Sequence, residues 1–185
     1  MHIPLNNNIS VRDILSRAGE GAQMITCTFE NDNVASPGIR HITTSNIIIK
    51  DNKVLFVLRQ KVPNRVMLEE GKWGLPGGFF DRDESLIEAV KREVMEETGW
   101  EIDDLQLFRI NDNPNRPKED RQNVDFIFIA KAINRIGGHD VEVREVKWFP
   151  LDDLPPMDQI AFDHGEDLEL YLKHLKSPMT LPILG

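Results

Sequence analysis

Apolar and polar positions along the chain divide it into many short strands and few helices. AQMITCTF (22–29) alternates with the two-residue period of a strand that buries one face. Before it, Ser10 is placed to cap a short helix, VRDILSRAGEG, which Gly19 or Gly21 would end. NDNVASPG reads as a loop, and IRHITTSNIII and VLFVLRQ flank KDNK as the two arms of a hairpin. Residues 61–72 are polar and irregular. LQLFRI (105–110) and VDFIFIAKAI (124–133) read as strands on either side of the loop NDNPNRPKEDRQN. GGHD breaks the chain before a strand in VEVREVKWFPL, and DDLPPM is a turn. AFDHGEDLELYLKHLK is an amphipathic helix with Leu168, Leu170, Leu172 and Leu175 among its apolar positions and a structural His164 at its start. SPMTLPILG carries two prolines and is expected to cross the surface in extended form. No linker separates these segments, which together predict an α+β domain with a mixed sheet and helices packed against it.

One helix carries chemistry. Ser85 and Glu88 have capping-box spacing and Gly99 is a fitting stop, so the helix is predicted from about Leu86 to Thr98. With Leu86 at the origin of a helical wheel, Val90, Val94 and Ile87 fall at about 40°, 80° and 100°, a stripe that must face the sheet. Glu93 and Glu97 fall at about 340° and 20°, inside or beside that stripe. Unpaired carboxylates there cost several kcal/mol each when buried. Arg92, at about 240°, is expected to point elsewhere, and one arginine cannot balance Glu93, Glu96 and Glu97. A one-sided set of carboxylates is what a hard divalent cation takes as ligands, the alternative being a solvated acidic helix end. Acids near a helix C-terminus are unfavourable with the dipole, which weakens that alternative. GLPGG, just upstream, permits sharp turns and a close backbone approach to a ligand.

Composition narrows the partners. A formal net charge of −9 argues against a nucleic-acid backbone binder, so an anionic substrate must be drawn in by something other than bulk charge. Cys27 is the single cysteine, which excludes an intrachain disulfide and a cysteine-rich zinc site and predicts a buried thiol in a strand. No signal pattern or membrane-length apolar run is visible, and the default expectation is a cytoplasmic protein without a membrane partner.

Gly78, Glu84 and the run Arg92-Glu93-Val94-Met95-Glu96-Glu97-Thr98-Gly99-Trp100 resemble the Nudix box at every defined position. WGLPG before it and EVKWFPLDDLP after it also look like that family. The resemblance covers roughly residues 38 to 176 and leaves 1–36 as an N-terminal extension, a short helix plus a strand, ahead of a domain at 37–185. It implies an α/β/α sandwich and metal-dependent hydrolysis of a nucleoside diphosphate linked to another group, with Mg2+ or Mn2+ as cofactor. Carried over by position, Glu93, Glu96, Glu97 and the Gly77 carbonyl match metal ligands, Arg92 matches the arginine that orients the acids, and Glu84 supports loop and helix. Glu93 itself, or Glu142 or Glu145 from outside the box, is the general base. Arg59, Trp73, Arg116 and Arg121 are candidates to stack on a base or hold phosphate. For Trp73, and likewise Phe79 and Phe80, burial in the core is the expected alternative.

Three functions follow from the resemblance. Pro114, fifteen positions after Gly99, resembles a proline associated with ADP-ribose pyrophosphatases in the family, and AFDH looks familiar from the same group. That favours ADP-ribose or a similar nucleotide sugar. The alternatives are a nucleoside triphosphate pyrophosphohydrolase that cleans the nucleotide pool and, third, a non-catalytic nucleotide-sugar sensor. Residues 1–36 either complete the domain's own sheet or exchange between the subunits of a homodimer.

Overall fold

The predicted alternation builds a strand at Thr26–Phe29 (β1), but its partner is a segment that the sequence reads as loop. Asp32–Ala35 (β2) pairs with β1 antiparallel, Phe29 opposite Asp32 and Cys27 opposite Val34. Asp32 and Asn33 of the stretch read as loop thus belong to the strand. The computed structural model describes residues 26–29, 32–35, 40–62, 68–81, 83–115 and 123–185. The chain divides into two units, Met1–Ile39 and Arg40–Gly185, and the helix expected after Ser10 lies outside the described residues, as does the side chain of Cys27.

The second unit is built on a mixed sheet of seven strands: Ile42–Lys50 (β3), Lys53–Arg59 (β4), Trp73–Gly74 (β5), Trp100–Asn111 (β6), Val124–Arg135 (β7), Val143–Pro150 (β8) and Ile183–Leu184 (β9). The order runs β5, β4, β3, β7, β6, β9, with β8 on the other edge of β4. The predicted β3–β4 hairpin turns at Asp51-Asn52, both with positive φ, as a tight turn between such strands requires. β3 runs parallel to β7. β6 is twice the length read from LQLFRI: its first half, rich in acid, is held by pairing to β7 rather than by its own pattern. The tail does extend, and Ile183 and Leu184 add a parallel strand beside Arg109 and Ile110.

Helices cover both faces, the expected α/β/α sandwich. Leu86–Thr98 (α1) begins at Ser85 with both halves of the capping box formed and ends at Gly99, whose φ of 71° is the left-handed cap conformation. Val90 and Val94 pack with Ile48, Leu55, Ile102, Phe128 and Ala130. His164–Lys176 (α2) lies on the opposite face, where Leu168 and Tyr171 pack with Ile47, Val54, Phe56, Phe108 and Ile127. Neighbouring Ile47 and Ile48 point to opposite faces and are both fully buried, which is why the centre of β3 reads as an unbroken apolar run. Two positions depart from the predicted stripes: Ile87 is 42% exposed and Leu175 53%, each at a helix end beyond the sheet's edge of contact. Leu86 and Ala89 take up the packing instead of Ile87.

Candidate active site

The glycine turn is stitched to β3. The Asn46 backbone N–H (2.9 Å) and its Nδ2 (3.0 Å) both donate to the Pro76 carbonyl, and the Thr44 N–H donates to the Gly78 carbonyl at 2.8 Å. Residues 76–78 thus lie along β3 like one more strand, and a side chain has no room there. Gly77 has φ of 152°, and a Cβ on it would stand 2.0 Å from the Thr44 carbonyl oxygen. A Cβ on Gly78 would stand 2.6 Å from Glu93 Oε2. The turn therefore sits against the acids of α1.

Glu97 is the most buried of these acids, 8% exposed on the inner face of α1, as the wheel predicts. The Gly77 N–H donates to its Oε2 at 2.9 Å. Burial pushes its pKa up to about 8, against the opposing pull of that hydrogen bond and of the Arg59 charge. Glu93 is also raised by burial, even though Arg92 Nη1 donates to it at 2.8 Å. Arg92 does not point away: its long side chain turns back across the helix and collects the acids. Its Nε and Nη2 donate to the two oxygens of Glu84 at 2.9 and 2.8 Å, Nη1 reaches Glu96 at 3.3 Å, and Nη2 also donates to the Phe79 carbonyl. This fork holds the Glu84 carboxyl down at about 2. Glu84 also accepts from the Asp81 N–H, so it ties the loop to the helix. Glu96 is more than half exposed.

The other candidates fall at different distances from this cluster. Arg59, at the end of β4, lowers the Glu97 pKa by its charge, donates to the Leu68 carbonyl and stacks 5.1 Å from the Phe162 ring centroid. Trp73 packs partly buried beside Phe149, on the α2 side of the sheet. Phe80 is half-buried, whereas Phe79 is 39% exposed with its ring edge-on to His41, so the core reading fails for Phe79. Its segment is the last of the turn and runs out at the sheet's rim, beyond the reach of the core. Glu145 pairs across from Leu58 and is exposed, on the strand face shared with Phe149 rather than the Trp148 face that packs with α1. Glu142 precedes β8 in a turn, its N–H bound to Asp140 Oδ1. Arg116 and Arg121 lie outside the described residues.

Sequence reasoning missed two contributors. Asn46 is fully buried and clamps the turn, but in the sequence it is one polar residue in an apolar strand. Asp140 was hidden in a segment read as a chain break. Its N–H donates to the Glu96 carbonyl, while the N–H groups of Ile136 and Gly137 donate to the Gly99 carbonyl, so this loop is anchored to the end of α1. There the Asp140 charge helps to raise Glu97.

A family model described as the NUDIX domain matches residues 39–170. The chain belongs to the Nudix family. It is 31% identical over 132 residues, 71% of this chain and 73% of the relative, to an ADP-ribose pyrophosphatase of Methanocaldococcus jannaschii. Over 178 residues it is 24% identical to the human 8-oxo-dGDP phosphatase NUDT18, spanning 89% of this chain and 51% of that protein. Among solved structures, an ADP-ribose pyrophosphatase of Streptococcus suis superposes with a TM-score of 0.63 at 25% identity, covering 80% of this chain and all of that one. The Nudix domain of Shewanella oneidensis NrtR, complexed with ADP ribose, superposes with a TM-score of 0.59 at 29% identity, covering 74% and 89%. The protein is thus a Nudix hydrolase, an enzyme that cuts diphosphate linkages in small nucleotide substrates. Among the described residues no helix is long and apolar enough to cross a membrane.

Proposed function

We propose that this Nudix hydrolase cuts ADP-ribose, or a similar nucleotide sugar, to AMP and a sugar phosphate with Mg2+ or Mn2+ as cofactor. The observation that carries the reading is the buried Glu97 carboxylate beside Glu93 and the glycine turn, in a chain 31% identical to an ADP-ribose pyrophosphatase. The donor set suits a hard cation: Glu93, Glu96 and Glu97 supply only oxygen. Successive carbonyls of extended chain alternate in direction, so with those of Pro76 and Gly78 turned to β3, the Gly77 carbonyl would face the other side, where its own N–H meets Glu97. In this structure the acids are gathered by Arg92 and Gly77, and among the described residues no three acidic, cysteine or histidine groups converge as a closed cage. The ligands would be Glu97, Glu93, Glu96 and Gly77. A divalent cation held there would neutralise diphosphate oxygens and make water a competent nucleophile.

The chain's own groups do the rest. Arg92 keeps Glu93 and Glu96 oriented through its fork, so the acids are positioned before substrate arrives. Arg59, whose charge acts on Glu97 and whose guanidinium stacks on the Phe162 ring, would hold a phosphate oxygen. Proton removal from water falls to Glu93, or to Glu142 or Glu145 if the substrate brings them near. Residues 1–36 stand ahead of the catalytic domain as an extension. The 8-oxo-dGDP phosphatase relative keeps a second reading in view, a pool-cleaning hydrolase of damaged or surplus nucleotides. Specificity constants for ADP-ribose, a set of nucleotide sugars, the common nucleoside triphosphates and oxidised dGTP and dGDP decide between them. A preference of about tenfold for ADP-ribose, about 1.4 kcal/mol in transition-state binding, is expected. The same margin for any of the non-sugar nucleotides would overturn the choice of substrate.

A further inference from the structure

Behind the sheet from α1, a chain of buried polar groups ends on the glycine turn. Leu75 N–H donates to His164 Nδ1 at 3.0 Å. An amide can only donate, so Nδ1 carries a lone pair and the imidazole proton sits on Nε2. Nε2 is 3.3 Å from Ser45 Oγ, which must then accept from the ring and donate onward, and it does donate to Asp125 Oδ2 at 2.7 Å. Thr43 Oγ1 donates to the other oxygen of Asp125 at 3.0 Å. Thr43, Ser45, Asp125 and His164 are all buried. Each hydrogen bond thus has its direction fixed by the next, from the Asp125 carboxylate on β7 through β3 and α2 to the amide of Leu75.

That amide is two residues before Gly77, whose own N–H holds Glu97. Strand β4 holds Trp73 and Gly74, and β3 holds Pro76 and Gly78; between them the Leu75 amide is bound by His164. Gly74 lies against the same ring, where a Cβ would come within 3.6 Å of His164 Nδ1. We infer that His164, held in one tautomer by Ser45 and Asp125, is a positioning residue for the metal centre: from the α2 face it sets the turn that aligns Gly77 with Glu97 on the α1 face. This rests on the metal-site reading above.

The two amide substitutions separate the halves of the ring. His164→Asn keeps an acceptor where Nδ1 stands and drops the Nε2 donor; His164→Gln keeps a donor where Nε2 stands and drops the acceptor for Leu75. Mn2+ binding to the full chain without substrate is followed by the loss of the free-ion electron paramagnetic resonance signal, with melting temperatures measured alongside. Glu97→Gln is the control. The expected result is Mn2+ binding about tenfold weaker in His164→Gln and within about twofold of wild type in His164→Asn, a loss typical of outer groups that orient metal ligands. Unchanged binding in His164→Gln overturns the inference, and so does equal weakening in both variants in step with their melting temperatures. If Glu97→Gln binds Mn2+ as the wild type does, the metal-site reading itself is wrong, and this inference goes with it.

Discussion

Replacing Glu97 by Gln should make the metal-free protein more stable while disabling it. The carboxyl is buried, and its folded pKa stands near 8 against the ordinary value of 4.5. The folded state therefore binds the Glu97 proton more tightly than the unfolded chain does. Below about pH 4.5 both states are protonated and stability is undiminished. As pH rises from there to about 8 the unfolded chain releases the proton first, and stability is lost throughout that window. A shift of this size is worth about 5 kcal/mol, at roughly 1.4 kcal/mol per unit. For a chain of this length that is on the order of 10–20 °C in melting temperature. Gln keeps an oxygen to accept from Gly77 N–H and has no proton to release, so above pH 8 the variant should melt well above the wild type without metal. Turnover should fall by roughly a hundredfold or more, as removal of a principal electrostatic group does. Thermal melts from pH 4 to 9, with chelator and with Mg2+, check this. A wild-type melting curve flat across that range, or a variant that Mg2+ stabilises as much as the wild type, refutes the reasoning. Some slope will persist in the variant below pH 7, because Asp167, raised to about 7 by burial and the nearby Asp125 charge, also releases its proton first from the unfolded chain.

Further outcomes follow from single contacts. Activity should disappear in chelator and return with Mg2+ or Mn2+; full turnover after exhaustive metal removal would sink the carboxylate mechanism. Gly78→Ala should lower turnover by roughly one to two orders of magnitude with little change in melting temperature. Its Cβ meets the flexible end of Glu93 at 2.6 Å rather than backbone, so an unaffected rate would show that Glu93 need not stand where it does. Arg92→Lys retains the charge but loses the fork to Glu84 and Glu93, and should cost about tenfold or more in turnover, read in the same steady-state assay.

The part of the site written in local sequence was legible. Capping, stop signal and inward-facing acids of α1 depend on residues within one helix, and the structure has them where the spacing placed them. The strands of the hairpin and β7 likewise follow from apolar pattern, and the sandwich from helices that must cover both faces. What failed was set by contacts distant in sequence. Half of β6 exists because β7 offers it a ladder, and β2 because β1 does. The reach of Arg92 was misjudged because a wheel tracks Cα directions, whereas a guanidinium on a long stem can bridge Glu84, Glu93 and Glu96 together. Asn46, Asp140 and His164 carry no periodic signal at all; their roles appear only when β3, the loop before β8 and α2 are brought against the turn and the end of α1.

The crowding of acid on α1 then has a physical account. An isolated helix with Glu93, Glu96 and Glu97 so close would be penalised by like charge near its negative end. In the fold, one arginine accounts for Glu93 and Glu96 and a glycine N–H for Glu97, and the remaining cost is carried as a proton on a buried carboxyl whose pKa is near 8. At neutral pH that proton is still bound, but with the pKa about one unit above, its removal costs only about 1.4 kcal/mol. Were Glu97 to serve as a ligand as proposed, losing that proton would leave a desolvated carboxylate available to a divalent cation. On the proposed metal-site reading, the burial that costs the carboxylate stability without a cation is the same burial that would favour one.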